Sequence, residues 1–348
     1  MLLQGEAGIG KSRLLQTLRM QLRETPHAEI VFYGSPQHQT SALWPVIQQL
    51  HRALGFTGEE DNVARRNRLR HFIGDLELDS ADVIEPLAML LGLSADPKSD
   101  AVPSDPGLVR RAIFAALSRL TSAMQWQSPV LVVVEDAHWM DPSTTELVGQ
   151  MLTDMASQRL FVLLTARPEF RAPSSISSQM VTLPLARLSR RETEAMVRIV
   201  APDDLPAAML AQLVAKTDGV PLFIEELTKS VAENESNVGF GTAIEIPATL
   251  QAALHCRLDR LARIRQIIQV AALLGRVFEA DLLIAVSQRD SAVVKRALHD
   301  LIEAELVYPQ RDPHRESYQF KHALIQDAAI GTLSATNGLN CTARLPLL

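Results

Sequence analysis

Gly5-Glu6-Ala7-Gly8-Ile9-Gly10-Lys11-Ser12 carries the spacing G-x-x-x-x-G-K-[ST]. The apolar pair Leu2-Leu3 precedes it, and Leu14, Leu15, Leu18 and Leu22 follow at helical spacing, so the octet lies between a strand and a helix. In that context glycines let the backbone wrap around phosphates, while amide groups and the helix N-terminus point at the anion. Lys11 is placed to reach the β- and γ-phosphates and Ser12 to ligate magnesium, so ATP or ADP with Mg2+ are the expected cofactors. A turn that merely joins strand to helix does not require Lys and Ser at those offsets. Leu2-Leu3 enters the loop directly, whereas a strand averages about five residues, so the first strand reads as clipped.

Downstream the pattern alternates. Ile30-Val31-Phe32-Tyr33, Val130–Val134 and Leu160–Thr165 read as buried strands, with a weaker one at Met180–Leu185. Helical patterns at Leu108–Leu120 and Thr144–Met155 separate them, so a parallel sheet with helices on both faces is expected. A helical insertion spans residues 42–125 and contains a Pro- and Asp-containing loop from Asp96 to Pro106. The expected division is a nucleotide-binding core at residues 1–186, an all-helical lid at 187–240 and a winged-helix domain at 247–333. In the last, short helices from Pro247 to Glu305 precede a hairpin of Leu306–Pro309 and Ser317–Lys321. The tail at 334–348 lacks periodicity and reads as irregular.

The strand ending Val134-Glu135-Asp136 places two carboxylates at a carboxyl edge beside the glycine loop, the arrangement called Walker B. One acid would hold magnesium, with Glu135 favoured together with Ser12. The other, Asp136, would polarise the attacking water, and the two roles are exchangeable on sequence alone. A neighbouring strand ends at Thr165-Ala166-Arg167, which puts a cation where a γ-phosphate sensor belongs. The competing reading of Arg167 is a solvated surface arginine.

At 348 residues the chain is long enough for two or three domains, and 47% hydrophobic with 21% charged residues is an ordinary globular balance. The net charge of -6 disfavours tight electrostatic binding to nucleic acid. Cys256 and Cys341 cannot build a disulfide framework or a four-ligand zinc site. No apolar run approaches the roughly 20 residues that span a bilayer, and Met1–Gln4 is too short for a signal peptide, so a cytoplasmic protein with no membrane partner is expected.

Five motifs in order resemble the signal-transduction ATPases with numerous domains (STAND), close to AAA+ and origin-recognition-like ATPases. They are Gly34–Pro45, Glu135–Ser143, Thr165–Pro168, Gly219–Leu227 and Phe320–Asp327. The set is most similar to the ATPase part of bacterial proteins that carry a class III cyclase domain before it and tetratricopeptide-type repeats after it. The resemblance implies that Gly219 and Pro221 shape the adenine side of the pocket. It also implies a C-terminal domain that folds over the nucleotide, with His322 as a candidate sensor; a satisfied histidine at the hinge of wing and helix is the alternative. No cyclase residues or repeats are recognised, so the chain resembles a fragment of such a protein.

The expected function is a nucleotide-driven switch with slow hydrolysis, acting through self-association or attached signalling domains. A DNA-binding regulator is the alternative, but Arg289, Lys295, Arg296, Arg311, Arg315 and Lys321 are matched by Asp290, Asp300, Glu303, Glu305, Asp312 and Glu316, leaving no basic face. A scaffold that holds nucleotide without hydrolysing it is the third reading.

Overall fold

The computed structural model describes residues 1–56, 60–78, 81–93, 105–154, 159–201, 205–238, 249–261, 264–311 and 315–334. The expected loop at 96–104, Met155, the opening Pro247 and the tail at 335–348 lie outside the described residues. The chain forms two units: Met1–Gly5 with Lys11–Pro184, and Glu6–Gly10 with Leu185–Leu348.

The first unit runs β1 (Leu2–Gln4), α1 (Lys11–Gln21), β2 (Ala28–Tyr33), α2 (Trp44–Leu54), α3 (Asn62–Asp75), α4 (Ala81–Leu90) and α5 (Pro106–Gln127). It continues through β3 (Val130–Glu135), α6 (Pro142–Asp154), β4 (Leu160–Ala166), α7 (Ser174–Ser177) and β5 (Thr182–Pro184). The five strands form a parallel sheet in the order β2-β3-β4-β1-β5. Although only three residues long, β1 pairs on both sides, Leu3 opposite Thr165 of β4 and Leu183 of β5.

Alternation along the strands divides the core into two layers, because successive side chains face opposite ways. Leu2, Ile30, Phe32, Val132, Val134, Val162 and Leu164 face one layer, which also holds Val46, Leu69, Leu87, Leu117 and Leu147 from α2 to α6. Leu3, Leu131, Val133 and Leu163 face the other, against Leu15 of α1 with Leu18 and Leu22. A continuous apolar run such as Val130–Val134 is the signature of a strand covered on both faces. The helical insertion is capped locally: Asp61 accepts from the Ala64 N–H at 2.7 Å to start α3, and Asp105 from Leu108 at 2.9 Å to start α5. The latter helix extends to Gln127, past the expected Leu120, because Thr121 and Gln125 are also buried and prolong its inner face.

The second unit comprises α8 (Arg190–Val200), α9 (Ala207–Thr217), α10 (Pro221–Val238), α11 (Leu250–Arg260), α12 (Arg265–Leu274), β6 (Val277–Glu279) and α13 (Ala280–Ser287). It ends with α14 (Ser291–Glu303), β7 (Val307–Arg311), β8 (Glu316–Phe320) and α15 (Ala323–Ser334). Ser189 and Glu192 form a reciprocal capping box that starts α8. Val197, Leu213, Ile224 and Leu227 join α8, α9 and α10, while Ile268, Leu283, Val294, Leu301 and Phe320 form a further core among the later elements. The expected two-strand hairpin is a three-stranded antiparallel sheet in the order β6-β8-β7. The added strand, β6, is three residues long, too short to register as a period in sequence.

Candidate functional site

The glycine loop has the backbone that a phosphate cradle demands. Gly8 and Gly10 stand at φ of 78° and 102°, conformations that an L side chain resists. The loop is anchored to the sheet by the Gly5 N–H, which donates to the Ala166 carbonyl at 3.1 Å. Lys11 is buried, and its ammonium donates to the Gly5 carbonyl at 2.7 Å, so the side chain folds back across the mouth of the loop. Ile9 is buried, while Glu6, Ala7, Gly8 and Gly10 retain exposed surface. A buried ammonium at the N-terminus of α1 fits a phosphate group.

Ser12, the second residue of α1, donates to Glu135 Oε2 at 3.4 Å. Glu135 is the last residue of β3 and is 2% exposed. Its other oxygen lies 3.6 Å from the Arg19 guanidinium, a partner not identified from sequence. Arg19 follows Ser12 by about two helical turns and therefore shares its face, which was the available signal. Burial works against the Arg19 charge, but Tyr33, Glu29 and Glu135 outweigh it and hold the group above its ordinary value. Among the described residues no group of three or more His, Cys, Asp or Glu side chains converges on an ion position. Magnesium commonly takes one or two carboxylates with phosphate oxygens and water, and the Ser12–Glu135 pair fits that donor set.

Asp136 leaves the strand in a left-handed conformation, φ 55° and ψ 50°, and its N–H donates to Thr165 Oγ1 at 3.0 Å. This bond ties the ends of β3 and β4 together and turns the chain into a short 3-10 turn, Ala137–Trp139. The Arg167 guanidinium carbon lies 5.4 Å from the centre of the Trp139 ring, so Arg167 is held against an aromatic face. His138 also leans on Trp139, with ring centres 4.9 Å apart. Burial pushes its imidazole down to about 4, with Arg167 and Lys11 acting in the same direction and Asp136 opposing them. The ring is neutral at pH 7.

Asp141, also unassigned from sequence, is 1% exposed. Its carboxylate accepts from the N–H groups of Leu43 and Thr144, both at 3.0 Å, and from Thr144 Oγ1. This fastens the segment after β2 to the segment after β3. Gly34 completes the closure: a Cβ there would lie 2.2 Å from the Asp136 carbonyl oxygen.

In the second unit, the loop tip and the start of α10 are bonded directly. Leu222 N–H donates to the Gly8 carbonyl at 3.1 Å. Arg187 bridges Glu6 at 2.7 Å and Asp218, and Gly219 follows at φ 71°. Pro221 opens α10 immediately beside this contact. His322 lies elsewhere in the unit, at the entrance to α15 and beside a cluster of four charges. Glu225 accepts from Lys229 at 2.8 Å and Lys321 at 2.7 Å, and Glu305 pairs with the same two lysines. Burial holds His322 down at about 4, against Glu225 and assisted by Lys321, Arg276 and Lys229.

Residues 1–163 match the family described as AAA ATPase domain. An uncharacterized protein of Rhizobium meliloti (strain 1021) is 29% identical over 343 residues, which cover 94% of this chain and 32% of that protein. The chain thus spans about a third of the length of the curated relative it matches. Among solved structures, a signal transduction ATPase with numerous domains and a tetratricopeptide repeat sensor from Pyrococcus horikoshii aligns at TM-score 0.45 and 13% identity. That alignment covers 94% of this chain and 43% of the other. The Drosophila origin recognition complex bound to DNA aligns at TM-score 0.38 and 12% identity, covering 97% and 90%. Among the described residues no helix is long and apolar enough to cross a membrane.

Proposed function

We propose that this chain, whose residues 1–163 match the AAA ATPase domain family, is an ATP-binding, slowly hydrolysing switch module that regulates an attached output domain. The observation that carries the reading is the convergence of Lys11, Ser12 and Glu135 at the ends of β1 and β3. Gly5, Glu6, Ala7, Gly8, Ile9 and Gly10 would hold the phosphates through backbone amides, and Lys11 would exchange its Gly5 carbonyl for phosphate oxygen. Ser12 and Glu135 would hold magnesium, which when bound neutralises phosphate charge. Asp136, outside the Ser12–Glu135 pair, is then the acid left to orient water, and Arg167 would stabilise charge on the terminal phosphate.

Gly219 and Pro221 would shape the adenine side of the nucleotide pocket; their segment bonds the loop tip through the Leu222 N–H and the Gly8 carbonyl. His322 is retained as a candidate sensor within a C-terminal domain of winged-helix type, spanning 247–333 after a lid at 187–240. Self-association and a cytoplasmic location belong to the same proposal. A nucleotide can bias two arrangements of such a module only through its difference in affinity for them, so fast turnover is not required. DNA binding is less well supported: Arg315 pairs with Glu279, and Lys321 with Glu225 and Glu305.

Calorimetric titration of ATP and ADP with magnesium, comparing wild type with Lys11→Ala, tests the reading. Binding by wild type that the substitution abolishes is the expected result. Absence of binding by the folded wild-type chain would remove the nucleotide reading altogether.

A further inference from the structure

His138 has no role in the site as described, yet its ring packs on Trp139, the residue that also carries Arg167. Both ring nitrogens are shielded from solvent, and neither has a hydrogen-bond partner among the described residues. Buried polar atoms left in that state are costly, and a phenylalanine or leucine would fill the same volume without the cost. The position is also fixed rather than accidental. Asp136 is turned by its bond to Thr165, the Trp139 N–H returns to the Asp136 carbonyl at 2.8 Å, and Trp139 supports the imidazole on one side. The charges that act on the ring are those of Asp136, Arg167, Lys11 and Glu169, two of which, Lys11 and Arg167, are the cations assigned to phosphate.

A neutral imidazole offers one N–H donor and one acceptor nitrogen. Beside Lys11 and Arg167 it adds a donor for an anion without adding a third positive charge. We propose that His138 donates a hydrogen bond to the terminal phosphoryl group of ATP and thereby makes the site prefer triphosphate over diphosphate. The proposal rests on the reading that Lys11 and Ser12 hold a nucleotide. Trp139 is then a positioning residue, in contact with both His138 and Arg167. A shielded donor fixed before binding reorganises little when the anion arrives, which is the condition under which such a bond is strong.

The test is calorimetric binding of ADP and of a non-hydrolysable β,γ-imido analogue of ATP, each with magnesium. Wild type is compared with His138→Phe, His138→Leu and His138→Gln. Wild type should favour the analogue. The apolar variants should weaken the analogue by about tenfold while leaving ADP within about twofold. His138→Gln, which retains a neutral donor, should recover most of the lost affinity. Circular dichroism decides which apolar variant is folded, and the comparison is taken from that one. Equal weakening of both nucleotides, no weakening of either, or a Gln variant as weak as the apolar one would overturn the proposal. Wild-type protein that binds neither nucleotide would instead sink the nucleotide reading on which it depends.

Discussion

The backbone N–H of Leu222 donates to the carbonyl of Gly8 at 3.1 Å, joining the tip of the glycine loop to the first turn of α10. With Arg187 bridging Glu6 and Asp218, the tip is held by a backbone bond and an ion-pair bridge. A Cβ at Gly8 would lie 3.1 Å from Leu222 Cβ and 3.3 Å from Val220 Cγ1, on a backbone already at φ 78°. Gly8→Ala is therefore expected to weaken ATP and ADP alike by about tenfold, from roughly 1–2 kcal/mol of left-handed strain. Calorimetry reads this directly; unaltered affinity would show that the loop binds without this geometry.

Gly219→Ala probes the same corner from the other side. Its Cβ would fall 2.2 Å from the Leu188 carbonyl oxygen, at a φ of 71°, and backbone cannot rotate away as a side-chain end can. The Leu188 N–H bond to the Gly219 carbonyl at 2.8 Å would be strained as well. A loss of about 2–3 kcal/mol in urea unfolding is expected. An unfolding curve like that of wild type would show that the corner relaxes to admit a methyl group.

The two acids at the end of β3 should separate kinetically. Asp136→Asn should retain nucleotide within about twofold while lowering turnover by about 10²–10⁴-fold, the range for loss of a general base. Glu135→Gln should instead weaken the dependence of binding on magnesium, because Ser12 is paired with that side chain. Steady-state phosphate release with magnesium titration distinguishes the variants, and the opposite pattern would exchange the two roles.

Asp141→Ala would leave the N–H groups of Leu43 and Thr144 without their buried acceptor. The expected cost is about 2–4 kcal/mol, combining a lost helix cap at the start of α6 with a second unsatisfied donor. Asp141→Asn, which keeps one carbonyl oxygen, should lose less. Equal stability of all three proteins by chemical denaturation would remove the clamp.

Stability should fall as pH is lowered from about 6.5 to about 4. His322 has an ordinary value of 6.5 and is held at about 4 by burial in the folded state, so over this interval the unfolded chain takes up the proton first. Its contribution is complete above 6.5 and is lost towards 4, amounting to at most ~3 kcal/mol. His138, also held at about 4, gives a slope of the same sign. His322→Gln should flatten the pH profile of the melting temperature without removing the His138 share. Glu225, held at about 2 by Lys229 and Lys321 against the effect of burial, adds a separate loss only below its ordinary value of 4.5.

Much of this arrangement was legible in the order of residues. The octet at Gly5–Ser12, the runs Val130–Val134 and Leu160–Thr165, and the helix at Arg190–Val200 are written in local spacing, because backbone sterics and side-chain periodicity act over a few residues. Lys11 and Ser12 stand out in the octet for the same reason. Ser12 and Glu135, by contrast, stand 123 residues apart and meet only because β1 and β3 take their places on either side of β4 in the sheet. The left-handed turn at Asp136, the Arg19 ion pair, the bond between Leu222 and Gly8, and the solvent-shielded ring nitrogens of His138 likewise belong to closure of the chain. A sequence specifies which side chains can bear a charge or donate a bond, but their burial and partners depend on which distant segments pack around them, and that was decided by the tertiary structure.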